Sequence, residues 1–210
     1  LTGNPVYSML KNKFPAATIA MCSTSGEIFH TEVMDETLSI TAIEFEKTRI
    51  VPRHINIREF SNSYEAGKAL VSQFDPAELS YMLVLSDGSH VNGSELVRGM
   101  NEMAGNEVLI TGGLAGDGSN FSSTLVGLNN EPQEGLIAGI GFYRKNLQVK
   151  HGSQGGWETF GLEKTVTRAT SNELFEIENF SALELYKQYL GPEAESLPGS
   201  ALLFPLAVKL

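Results

Sequence analysis

The chain has 210 residues, 15 of them Lys or Arg and 25 Asp or Glu, which gives a formal charge of −10 at pH 7. An acidic balance with no basic stripe disfavours nucleic acid and anionic lipid as partners. Hydrophobic residues, at 41%, are spread along the chain and exclude a disordered protein.

The only cysteine, Cys22, allows no internal disulfide, and no Cys/His cluster has zinc-ligand spacing. No run of about 18 apolar residues is present to span a membrane. The first residues lack a signal-peptide layout and an initiator Met, so the expectation is a cytoplasmic protein seen as part of something longer.

The first strand is predicted at residues 18–21, running directly into the polar turn Ser23, Thr24, Ser25, Gly26 and Glu27. Residues 38–42 and 55–58 alternate apolar and polar with period two, the pattern of half-buried antiparallel strands. Ala66, Ala69, Leu70 and Phe74 recur at helical spacing after Ser63, a predicted N-cap. Residues 82–85 form a continuous apolar run, the mark of a strand covered on both faces, and end at Ser86, Asp87 and Gly88. Leu96, Met100, Met103 and Ala104 make the apolar stripe of a helix over 94–104 that Gly105 closes. The buried strand at 108–110 completes a strand–helix–strand order, which implies parallel pairing.

Residues 136–142 and 147–150 return as hairpin-like strands. From Thr165 the texture changes. Residues 166–169 and 174–177 read as a hairpin turning at Ser171 and Asn172. The helix that follows has Ser181 and Glu184 as a capping box and Gly191–Pro192 as its stop. The expected fold is α/β (mixed α+β): a mixed sheet with one parallel βαβ unit among antiparallel strands, and helices packed on the sheet.

Three turns rich in Gly, Ser and Asp each follow a buried strand, at 23–27, 86–93 and 112–118. Ligands of open α/β sheets sit outside the carboxyl ends of strands, where small residues admit a close approach and hydroxyls and carboxylates fix orientation. Gly and Asp also make tight turns for their own sake, but three such turns together favour a site. The glycine turn is no phosphate loop: it lacks the Gly-Lys-Ser/Thr ending and carries an aspartate. His30, His54, His90 and His151 are candidate bases, yet nothing in the sequence pairs one with Ser25. The stretch 151–157 combines His151 and the only Trp, Trp157, with three glycines, and it reads either as a pinned loop or as a cavity wall.

Cys-Ser-Thr-Ser-Gly-Glu-Ile at positions 22–28 resembles the Ser-Thr-x-Gly-Glu turn of the FIST N-terminal domain. Gly-Gly-Leu-Ala-Gly-Asp at 112–117, with Phe121 and Thr124 after it, is similar to that family's second signature. Gly155, Gly156, Trp157 and Gly161, followed by Val166, Thr167 and Arg168, are similar to its third. Residues after about 165 resemble the join to a FIST C-terminal domain. The expected division is therefore 1–164 for the ligand-binding domain and 165–210 for the junction and the truncated start of the next.

The resemblance implies a sensory module of signal-transduction proteins that binds small ligands such as amino acids, with no established catalytic activity and no cofactor. Ser23, Thr24, Ser25 and Glu27 are expected to form one lip of the site. Gly113, Ala115, Gly116 and Asp117 form the other, and Asn120 and Thr124 are further candidates. His151 and Trp157 would be its lid or wall. A free amino acid or similar zwitterion is the expected ligand, and a signalling protein of unspecified identity the expected partner. Two rivals stay open: a hydrolase using Ser25 or Thr24 with Asp117 or His151 as base, and a protein-docking scaffold without ligand.

Overall fold

The computed structural model describes residues 5–105, 108–144, 147–152 and 155–209. The chain opens with helix α1 (Val6–Lys13) and three short strands, β1 (Ala20–Cys22), β2 (Glu27–Phe29) and β3 (Glu32–Met34). Strand β4 (Arg49–Asn56), helix α2 (Ser63–Ser72), strand β5 (Leu79–Ser86), helix α3 (Gly93–Ala104) and strand β6 (Leu109–Leu114) follow. Then come β7 (Val126–Leu128), β8 (Leu136–Tyr143), β9 (Val166–Thr170), β10 (Glu173–Ile177), β11 (Phe180–Ser181) and helix α4 (Ala182–Leu190). The described residues fall into two units, one within 1–118 and 122–151, the other within 119–121 and 152–210.

The first unit is built on a four-stranded sheet of order β4-β8-β5-β6. β5 and β6 pair in parallel, from Tyr81 opposite Leu109 to Ser86 opposite Leu114, as their non-alternating apolar runs predict. The remaining pairs are antiparallel. On one face Leu70 of α2, Phe74 just beyond its end, and Leu96 and Met100 of α3 cover Met82, Val84 and Ile137. On the other, β1 and β7 form an antiparallel ribbon, and Val126, Leu128, Leu136, Ala138 and Ile140 make a second core. The two helices approach unusually closely. A Cβ on Gly67 would lie 2.4 Å from the Leu96 carbonyl oxygen, and one on Gly99 would lie 2.1 Å from that of Tyr64.

Four expectations are corrected here. Asn62, not Ser63, caps α2, because its side chain accepts from the Glu65 N–H. Ser63 is the first helical residue, and its hydroxyl instead accepts from Asn92 N–H at 2.9 Å, tying the two helix starts together. Residues 38–42 are exposed and irregular rather than a strand. The alternation at 55–58 is the end of the longer β4, which passes into a 3₁₀ turn at Ile57. Residues 147–150 form no strand.

The second unit holds the antiparallel sheet β11-β10-β9 and helix α4. Ser171 has φ 53° at the turn between β9 and β10, where the hairpin was predicted. Ser181 Oγ accepts from Glu184 N–H at 3.4 Å to cap α4, and Gly191, at φ 56°, ends it. Ala182 and Leu190 are its buried residues. Among the described residues, no helix is long and apolar enough to cross a membrane.

Candidate functional site

Parallel pairing sets the carboxyl ends of β5 and β6 side by side, so the turns after them emerge on one edge of the sheet. Ala115 N–H continues the ladder by donating to the Ser86 carbonyl at 2.8 Å. The turn after β1 joins the same place: Gly116 N–H donates to the Ser23 carbonyl at 3.0 Å, and Gly118 N–H to Ser25 Oγ at 3.2 Å. A Cβ at 116 would sit 2.4 Å from Ser25 Oγ and 3.1 Å from Ser25 N, so a larger residue there would have to displace the Ser25 hydroxyl. Thr124, nearly fully buried, accepts from Gly88 N–H at 2.9 Å and binds the third turn to the other two. Ser23, Ser25, Ala115, Gly116 and Thr124 are thus brought together.

The polar side chains predicted for the site satisfy one another within these turns. Ser23 Oγ accepts from Leu125 N–H at 2.9 Å. Thr24 donates to Glu27 Oε1 at 2.7 Å, and Thr37 donates to its other oxygen at 3.2 Å. Asp117 Oδ2 accepts the Ser122 and Ser123 N–H groups at 2.7 and 3.0 Å. Carboxylates accepting local backbone N–H groups hold turns in shape, so each of these residues has a conformational role.

Gly113 and His151 meet elsewhere. They line a cavity of about 350 Å³ between α3 and β6, with apolar walls from Val84, Leu96, Met100 and Leu114. β6 is the outermost strand of its sheet, and an edge strand turns alternate N–H groups away from its neighbour. Asn120 and Trp157 belong to the second unit. Ser153 and Gln154, in the stretch with His151, lie outside the described residues. Ser25 Oγ is hydrogen-bonded to a backbone amide, and no imidazole is bonded to it among the described residues. Burial pushes the Cys22 thiol up, away from a reactive thiolate.

Sequence reasoning missed Asp87, read there only as part of a turn. Its side chain is fully buried. One oxygen accepts from Ser89 N–H and His90 N–H, both at 2.7 Å, and the other from Gly135 N–H at 2.7 Å. His90 Nδ1 stands 3.2 Å from the same carboxylate. Burial raises the Asp87 carboxyl, but the N–H groups of Gly135, His90 and Ser89 together with the His90 ring outweigh it and hold it below the usual carboxylate range. The available signal was an aspartate directly after a doubly covered strand, where its carboxylate reaches the N–H groups two and three residues on. Nearby, Ser123 and Arg58 donate to Glu134, both at 2.8 Å, and lower its carboxyl in that order. Among the described residues, no group of three or more His, Cys, Asp or Glu is placed to hold a metal ion.

A family profile described as the FIST N domain matches residues 3–179. No curated protein and no solved structure matches the chain.

Proposed function

Because the chain belongs to the FIST N domain family, in general a sensory domain of signalling proteins, we propose that its first unit binds a small molecule, a free amino acid or similar zwitterion. One observation carries the reading. Gly113 and His151, both expected at the site from the sequence, line the cavity of about 350 Å³, and its size falls within the range of small-molecule pockets. Its apolar walls suit a ligand's side chain. Edge N–H groups of β6 suit a carboxylate, and Asp117, on the turn that follows β6 but outside the cavity lining, acts on an ammonium through its charge rather than by contact. A nucleotide, by contrast, would bring several negative charges to a chain already at −10. Among the described residues Ser25 Oγ is bonded to the Gly118 amide and to no imidazole, which favours binding over hydrolysis.

The test is a thermal-shift screen of the twenty amino acids, with nucleotides as controls. A ligand at 100 times its Kd adds about 2.7 kcal/mol, a rise of roughly 5–10 °C for a chain of this size. His151→Ala should reduce the rise, and Asp117→Asn should weaken it by removing charge. No rise with any amino acid, or a rise with nucleotides instead, refutes the reading.

A further inference from the structure

The cavity between α3 and β6 changes character from floor to rim. Val84, Leu96 and Met100 on its floor are buried, while Val97, Gly113 and His151 on its rim are exposed. None of the residues lining it is Asp, Glu, Lys or Arg. The two side-chain hydroxyls in the lining are already engaged. Ser86, also buried, donates to the Asp87 carbonyl at 3.4 Å, and Thr111 Oγ1 is hydrogen-bonded to the Tyr81 hydroxyl at 2.6 Å. What the floor offers a ligand is hydrocarbon and the Met100 thioether, a flexible group that moulds itself to irregular apolar shapes.

A side chain entering this floor leaves water and meets apolar carbon. Each methylene buried in that way is worth about fourfold in affinity. A carboxylate or ammonium carried to the same depth would lose its water and find no counter-charge, which is costly for any unpaired ion. The charged end of an amino acid therefore belongs at the exposed rim, where solvent and the β6 edge are both at hand.

We propose that the ligands of this cavity are the amino acids with apolar side chains, excluding those with a charged one. The side chain lies down against Val84, Leu96 and Met100, and the α-ammonium and α-carboxylate stay at the rim. Val97, at the mouth on α3, is the position that sets the preference. The proposal rests on the amino-acid reading above and narrows it to one class.

Isothermal titration of the full chain with glycine, alanine, norvaline, norleucine, lysine and glutamate tests it. Affinity should rise about fourfold per methylene from alanine through norvaline to norleucine. Lysine, which is norleucine with an ε-ammonium, and glutamate should each bind at least tenfold more weakly than norleucine. Val97→Asp, at a position 45% exposed, sets a carboxylate at the mouth without disturbing the core. It should weaken norleucine about tenfold or more and make lysine the tighter ligand. Val97→Thr, neutral and similar in shape, should weaken norleucine by a smaller factor, and it carries the test if the aspartate variant does not fold. Lysine or glutamate binding as tightly as norleucine, a flat series, or norleucine binding unchanged in the Val97 variants would overturn the proposal and leave the broader amino-acid reading standing. No binding by any of the six overturns both.

Discussion

Replacing Asp87 with Ala removes the acceptor for three backbone N–H groups at one stroke. Ser89 N–H keeps an alternative, since Thr124 Oγ1 stands 3.2 Å away. The N–H groups of His90 and Gly135 have no such second acceptor among the described residues, and the Gly135 amide is buried. The buried Gly135 donor left unpaired costs about 1–3 kcal/mol, and the part-buried His90 N–H adds about one ordinary hydrogen bond, so the expected loss is about 2–4 kcal/mol. That is a large part of the total stability of an ordinary domain, about 5–15 kcal/mol. Asp87→Asn keeps the shape and one acceptor oxygen but turns an NH₂ toward the remaining donors, and it should lose about 1–3 kcal/mol. Urea unfolding followed by far-UV circular dichroism reads the difference. Trp157 fluorescence is the wrong probe, because that residue sits in the second unit. The midpoint should fall at constant slope, and exchange of the Gly135 amide should accelerate. A loss below about 0.5 kcal/mol for Asp87→Ala, the size of an ordinary surface substitution, would refute the reasoning.

The same carboxylate sets a pH dependence. Its folded pKa lies below its unfolded value of about 3.9, so its contribution is full above that pH and disappears as pH falls through the folded value. Urea midpoints should therefore drop below about pH 4 in the wild type and more shallowly in Asp87→Asn. Gly99→Ala drives a methyl group to 2.1 Å from the Tyr64 carbonyl, and the α2–α3 pair should lose at least about 1–3 kcal/mol, read as a lowered urea midpoint. Ser25→Ala removes the acceptor for Gly118 N–H and should cost about 0.5–1.5 kcal/mol in stability with no hydrolytic activity to lose. Turnover of an ester panel that vanishes in this variant would overturn the binding reading.

The β5–α3–β6 unit was legible because a strand covered on both faces has to be apolar throughout, and a crossover helix declares itself by its stripe. The Ser181 cap was legible because it is a local bond. Residues 38–42 carry the alternation of a strand but have no partner among the described residues, and pairing is decided by distant chain that local pattern does not record. The start of β4 was hidden by Pro52, tolerated because β4 is an edge strand. At the helix starts, adjacent polar residues competed for the cap. Asn62 holds it, while the Ser63 hydroxyl is engaged by the N–H of Asn92, the N-cap of α3.

At the candidate site the residue types were legible and their use was not. Ser23, Thr24, Glu27 and Asp117 stand where the turns put them, yet their polar atoms bond to their own turns or to neighbouring ones. Gly113 and His151 share a cavity wall that no spacing rule relates. Asp87 looked like a turn residue because its burial depends on the Gly135 amide, which approaches from a loop 48 positions along the chain.

The central claim is that a small zwitterion binds in the first unit, beside β6 and the glycine turn. The most direct measurement is a ¹⁵N–¹H correlation titration of the full chain with the amino acid giving the largest thermal shift. The account predicts saturable shifts concentrated at the amides of Thr111, Gly113, Leu114, Gly116 and His151, with Gly191–Ser196 unmoved. Shifts confined to the second unit, or none at concentrations that raise the melting temperature, would contradict it.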